Sequence, residues 1–170
     1  MAENLRTEKF RNGEPLPEAK RHDEWEKAAQ KEGPAFCNYE NNKENDLVYG
    51  KLYNGYVLND KRGIAPEGWH IPTKEEWEIL IKYLGKNSSK KIKSKTDDWG
   101  LLIGNNKSGF SARPAGNRNE SGFIITHSKF WSITESDNRI AYGVVIYGGS
   151  NPMVQRIIKY EGCSIRCIKD

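Results

Sequence analysis

The chain has 170 residues, a formal net charge of +4, 36% hydrophobic and 29% charged residues, and five Trp, eight Tyr and five Phe. That length buries a core without covalent staples, and the aromatics give the core large units. No run approaches the roughly 18 apolar residues of a membrane-spanning helix, and the charged start lacks the apolar stretch of a signal peptide.

Leu5 to Phe10 is predicted to pair as a strand before the Asn12-Gly13 turn, after which Pro15 and Pro17 keep the chain extended. Asp23 with Glu26 reads as a capping box for a short helix carrying Trp25, Ala28 and Ala29 and ending at Gly33. Leu52, Tyr53, Tyr56 and Val57 fit helical spacing and a short strand alike. Gly68-Trp69-His70-Ile71-Pro72 is a short extended stretch that stops at the proline. Thr73 then serves as N-cap with Glu76 at the third helical position, a second capping box. Behind it Trp77, Leu80, Ile81 and Leu84 recur at i, i+3, i+4 and i+7, an apolar stripe that must face a core, and Gly85 supplies the stop. Past Lys95 the helical signal ends. Phe123 to Thr126, Phe130 to Ile133, Ala141 to Tyr147, Val154 to Ile158 and Ser164 to Ile168 read as antiparallel strands between long loops. Helices early and strands late suit an α+β domain over residues 1–170.

Chemistry-bearing patterns are sparse. Lys86, Lys90, Lys91, Lys93 and Lys95 lie in a polar segment with no aromatic to stack on a base before Trp99, so a solvated loop is expected and nucleic acid is not. The adjacent acids Asp97-Asp98 and Glu75-Glu76 do not face one another and read as surface charge. His22, His70 and His127 are isolated, so neither a metal nor a cofactor is expected. Cys37, Cys163 and Cys167 are an odd number. On one strand Cys163 and Cys167 would sit about 13 Å apart, too far for a bridge.

Seven stretches in order point to a family: Met1-Ala2-Glu3-Asn4-Leu5-Arg6, Tyr49-Gly50-Lys51-Leu52-Tyr53-Asn54, Asn59-Asp60-Lys61-Arg62-Gly63, Ala65-Pro66-Glu67-Gly68-Trp69-His70, Ser108-Gly109-Phe110-Ser111-Ala112, Phe130-Trp131-Ser132-Ile133-Thr134-Glu135 and the terminal Ser164-Ile165-Arg166-Cys167-Ile168-Lys169-Asp170. Together they resemble the Fibrobacter succinogenes major paralogous domain, a relative of C-type lectin-like and formylglycine-generating-enzyme folds. Gly55 stands where that pattern usually has Trp, and Cys163 where it usually has Phe. The resemblance implies a C-type lectin-like fold: small twisted antiparallel sheets, two or three flanking helices, a long loop region and paired termini. It tips residues 52–57 toward helix and places His70 in the core as a packed, hydrogen-bonded side chain. Gly104, Gly109, Gly116 and Gly122 fit its loop-rich half. The family pattern carries Cys at 37 and 167, which allows a bridge there, with buried free thiols as the alternative. Its opening motif commonly has residues before the Met, so the domain reads as trimmed at its N-terminus. Members are commonly cell-surface or secreted bacterial proteins, often lipoproteins, which is the location the resemblance implies.

Lectin-like folds carry function on loops and exposed strands over a rigid frame, so a noncatalytic module binding a glycan or protein is expected, as a monomer. The resemblance turns Tyr142 and Ile146 inward; alternation then turns Gly143, Val145 and Tyr147 outward. With Asn151, Met153, Gln155, Arg156 and Tyr160 these form the expected ligand-binding face, Tyr147, Asn151 and Tyr160 being its candidates for a sugar. No calcium-dependent lectin triplet is present. Domains of this kind are also targets of diversity-generating retroelements, and Gly143, Val145 and Cys163 depart from the usual aromatic pattern in a way that fits diversification. The enzymatic alternative is an oxidase of the formylglycine-generating type using Cys163 and Cys167 to bind copper, although Cys167 resembles the structural last strand of those enzymes. If the hairpin side chains prove to be frame, the assignment moves to the Lys86 to Lys107 loop.

Overall fold

In the computed structural model, which describes residues 3–170, ten short strands and four helices follow one another. They are α1 (His22–Gln30), β1 (Phe36–Asn38), α2 (Glu44–Tyr49), β2 (Lys51–Asn54), β3 (Trp69–His70), α3 (Lys74–Leu84), α4 (Ser88–Ile92), β4 (Asn117–Asn119), β5 (Gly122–Ile124), β6 (His127–Asp137), β7 (Ile140–Tyr147), β8 (Met153–Ile158), β9 (Gly162–Cys163) and β10 (Ile168–Lys169). All named pairings are antiparallel, in sheets ordered β1-β2-β9-β4-β5, β6-β7-β8 and β3-β10. The expected α+β class therefore holds. Met1 and Ala2, which open the first motif, lie outside the described residues.

Helix α3 forms where its capping box places it. Thr73 Oγ1 accepts from the Glu76 N–H, and Glu76 accepts in return from the Thr73 N–H at 2.8 Å. Trp77 and Leu84 are buried, with Leu80 and Ile81 packed at the edge of the same cluster. The N-cap of helix α1 is Arg21, two residues before the expected Asp23. Glu24 accepts from the N–H groups of Lys20 and Arg21, while Asp23 sits inside the first turn and pairs with Arg21 at 2.9 Å. Residues 51–54 are strand rather than helix, followed by one 3-10 turn over Gly55–Val57. Pairing on both edges, with β1 and β9, overrides the helical spacing there. The expected strand from Leu5 to Phe10 is reduced to a bridge between Lys9 and Pro15 around the Asn12-Gly13 turn. Ser164–Ile168 is likewise mostly irregular between β9 and β10.

The two ends of the chain meet. The Leu5 N–H donates to Ile165 O at 2.8 Å, and the Arg166 guanidinium donates to Asn4 Oδ1. Arg166 also donates to Phe110 O and lies over the Phe110 ring. Trp131 on β6 joins the layers: its indole N–H donates to Tyr53 O of β2 at 2.7 Å, and its own carbonyl accepts from the Trp77 indole of α3 at 3.2 Å. Trp131 and Ile165 are fully buried, whereas Trp69 and, on the α3 stripe, Leu80 are half-buried.

His70 is not core. Its ring is half-exposed and bridges Asp170 (2.7 Å) and Glu76 (3.0 Å), tying the C-terminal residue to the start of α3. Those two carboxylates raise its pKa above the usual imidazole value. Cys37 and Cys167 lie in different apolar clusters, and the bridge between them is not made. Gly109, Gly116 and Gly122 take positive φ in the loop-rich half, while Gly104 is required by a close approach described below.

Candidate functional site

Strand β7 is central in its sheet, and both of its faces are covered. Tyr142, Val144 and Ile146 alternate onto the face of α3, where Val144 and Ile146 pack with Trp77 and Phe130 and the Lys74 ammonium lies 4.9 Å from the Tyr142 ring. Ala141, Gly143, Val145 and Tyr147 take the other face. There Gly143 and Val145 are buried, not outward. A Cβ on Gly143 would stand 2.5 Å from both Phe130 O and Ile157 Cδ1, so this glycine lets β6 and β7 approach. The uninterrupted apolar run Gly143 to Ile146 is the pattern of a strand covered on both sides, which overrides an inward-outward reading.

The remaining expected residues do not form one patch. Tyr147, Asn151 and Met153 are exposed around the end of the β7–β8 hairpin. Gln155, opposite Gly143, is half-buried on the same side as Met153. Arg156 is exposed but opposes Tyr142, so it projects from the other face and pairs with Asp137 at 3.3 Å. Tyr160 borders a separate cleft with Tyr56, Glu26 and Arg139.

What meets Gly148 and Asn151 instead is the segment after α4. Residues Asp97–Leu102 form a kinked 3-10 stretch, followed by Ile103 and Gly104. Trp99 anchors it, buried, with its indole N–H donating to Ala112 O at 2.8 Å. Leu101 is fully exposed, Leu102 and Ile103 nearly half so. Gly104 seats the loop: a Cβ there would come within 2.3 Å of Lys93 O, and its N–H donates to Ser94 O at 3.0 Å. Leu102 lies so close to the hairpin turn that a Cβ on Gly148 would be 2.6 Å from its Cδ1.

The lysine-rich segment is not a solvated loop. Ser88, Ser89, Ile92, Lys93 and Ser94 are buried in and just after α4. The Lys93 ammonium donates to Leu102 O and, at 2.5 Å, to Gly148 O, so one cation holds the aliphatic loop and the hairpin end together. Burial lowers its pKa from the ordinary lysine value. These elements enclose an open cleft of about 310 Å³ whose walls include Lys90, Lys93, Leu101, Ile103, Gly149 and Asn151. Beside it His127 is buried under Tyr147, ring centroids 5.6 Å apart, and burial helped by Lys129 lowers its pKa to about 4.

A larger-bodied groove of about 410 Å³ lies at the N-terminus, between Asn4, Leu47, Thr96 and Arg113. Two of its cations are ion-paired, Arg6 with Glu3 at 3.0 Å and Arg113 with Asp98 at 2.9 Å, while Arg166 is hydrogen-bonded to the neutral Asn4 amide. The three thiols are buried in the frame. Desolvation pushes Cys37 and Cys167 up to about 11 and Cys163 well above its usual value. In the native protein they are expected to react with a thiol reagent orders of magnitude more slowly than after unfolding, because the thiolate is the nucleophile; rapid labelling of Cys163 at neutral pH contradicts this placement.

The family model described as Fibrobacter succinogenes major domain matches residues 1–169. The chain belongs to that family. No curated protein and no solved structure matches it. In this Fibrobacter succinogenes major domain, the unusual Gly55 has a local cause. A Cβ there would fall 2.6–2.8 Å from Lys159, which is buried, ion-paired with Glu135, and receives the Gly55 N–H on its carbonyl at 2.8 Å. The space a larger residue would occupy is filled by that lysine stem.

The sequence pattern pointed to Tyr147, Asn151 and Met153, and to the Lys86 to Lys107 loop only as the fallback, without singling out Leu101, Leu102 and Ile103 within it. The signal was present: three aliphatics between Gly100 and Gly104 in an otherwise polar segment have no periodic partner.

Proposed function

We propose that this chain is a noncatalytic recognition module, carried on a C-type lectin-like frame at a bacterial cell surface, that binds a protein ligand through residues 101–103 and the hairpin end 147–153. The observation that supports it most is the exposed aliphatic run Leu101-Leu102-Ile103 against the hairpin end at Gly148, which adds apolar area where the frame does not use it. Contiguous exposed apolar side chains rimmed by polar ones mark interaction surfaces. Aliphatic rather than aromatic walls favour a protein over a sugar ring, since sugars pack on flat aromatic planes. Gly143 and Val145 leave the binding set because they are buried, and Arg156 and Tyr160 because they point elsewhere. Diversification by a retroelement is not part of this reading, as Gly143, Val145 and Cys163 offer a ligand no surface. Nor is the oxidase: burial of Cys163 and Cys167 opposes the thiolates that copper binding needs.

Peptide display against the full chain, run beside a glycan array, tests the proposal. Selected peptides should bind Leu101→Ser and Tyr147→Ala more weakly by about 1 kcal/mol or more each if these are hot spots, with melting temperatures within a degree or two of wild type. The control Leu47→Ser, exposed at the other groove, should bind normally. Equal loss of stability in Leu101→Ser and Tyr147→Ala, or a hit only on the glycan array, counts against it.

A further inference from the structure

The basic segment beside the aliphatic loop has a property the frame does not require. Lys86, Lys90, Lys91, Lys93, Lys95 and Lys107 make no ion pair among the described residues, and Asp98 of the same segment is engaged by Arg113. Other buried or half-buried cations differ. Lys51 is buried but has Glu8 at 3.0 Å and Asp46 at 3.3 Å; Lys159 has Glu135; Lys129 has Glu161 at 2.5 Å. Arg118 and Arg166 lack carboxylates, yet each spends its fork on oxygen acceptors and stacks on aromatic rings.

Lys93 also lies against an aromatic face, 5.1 Å from the Trp99 ring centroid, but it has no carboxylate partner among the described residues and fewer oxygen acceptors than donors. An ammonium has three donors, and its two protein acceptors are Leu102 O and Gly148 O. Lys93 is 3% exposed and stands in the wall of the cleft, and no third oxygen acceptor for its ammonium lies among the described residues. Lys90 lines the same cleft, Asn151 offers an amide across from it, and Leu101 and Ile103 form its apolar lip. A buried cation short of a partner is costly, and an anion entering the cleft would supply the missing acceptor and the missing charge at once.

Resting on the recognition surface proposed above, we infer that this cleft takes a peptide carboxylate, with the Lys93 and Lys90 ammonium groups on the carboxylate and an adjacent aliphatic side chain of the ligand against Leu101 and Ile103. The two halves of the site match one short piece of peptide: charge at the back, aliphatic contact at the lip.

The test is an NMR titration of the full chain, following backbone amides, with N-acetyl-L-leucine and with N-acetyl-L-leucinamide, which has the same side chain without the charge. The acid should shift the amides of Leu102, Gly148, Gly149 and Asn151 saturably, and the amide should bind about tenfold more weakly, as expected for loss of a charge-assisted hydrogen bond. Lys93→Met should abolish the difference between the two compounds. Because Lys93 also holds two loops, the exposed Lys90→Gln is the safeguard: it should keep the wild-type spectrum and weaken the acid about twofold or more. Equal binding of acid and amide at Leu101–Ile103 overturns the carboxylate while leaving the recognition surface standing. Absence of shifts at this surface with either compound sinks both. Saturable shifts there with D-glucuronate but not N-acetyl-L-leucine overturn the peptide as the source.

Discussion

Replacing Trp131 with Ala is expected to destabilise the protein by about 3–5 kcal/mol, the range for truncating a buried aromatic, and to lower the unfolding midpoint by about 10 °C or more for a chain of this length. Two effects add. The first is the cavity left by a fully buried indole that packs in the cluster containing Leu5, Tyr53 and Ile165. The second is Tyr53 O, which loses the 2.7 Å bond from the indole N–H; an orphaned buried carbonyl costs about 1–3 kcal/mol. Trp131→Phe separates them, since it keeps most of the packing and still loses that bond. Calorimetry of both variants should place Phe between wild type and Ala. A Phe variant as stable as wild type would mean that the link between β2 and β6 contributes little.

Arg166→Ala should be the second most damaging change, at about 3 kcal/mol. The guanidinium is buried without a carboxylate, and desolvation lowers its pKa to about 10, so its charge is itself a burden. What offsets that burden is its bonding to Asn4 Oδ1 and Phe110 O and its stacking on Phe110 and Phe130. Alanine removes the charge, but it also opens a cavity and strands two acceptors, and the losses outweigh the relief. Arg166→Met should recover part of the difference by restoring packing and removing the buried charge. If Met and Ala prove equally damaging, the hydrogen bonds between the chain ends carry the whole effect. If Ala is neutral, the termini are not held together by this residue.

What the sequence disclosed follows from how local each signal is. The Thr73–Glu76 box and the Trp77–Leu84 stripe need only neighbours within three turns of helix, and both were legible. The strand at 51–54 was not, because its partners lie at 36–38 and 162–163 and only their approach decides between strand and helix. Strand β4 reads Asn-Arg-Asn, as polar as a loop; it is a strand because Arg118 is sandwiched between Phe123, its partner on β5, and Trp25, which is far away in sequence. Lys93 hid for the same reason: its acceptors are carbonyls of two remote segments, which no side-chain pattern announces. On β7 the alternation was read correctly, but a period of two says which residues share a face and not whether that face meets water. The Gly143 to Ile146 run held the missing information.

The proposed recognition surface lies where residues 101–103 meet the hairpin end, on a frame pinned by Trp131. Amide hydrogen exchange of the full chain, with and without a saturating display-selected peptide, locates the contact directly. Slowed exchange confined to residues 101–104 and 147–153, with the already slow amides around Trp131 and Tyr53 unchanged, is the predicted result. Protection centred on the N-terminal groove around Asn4, Leu47 and Arg113, with residues 101–103 unaffected, would contradict it.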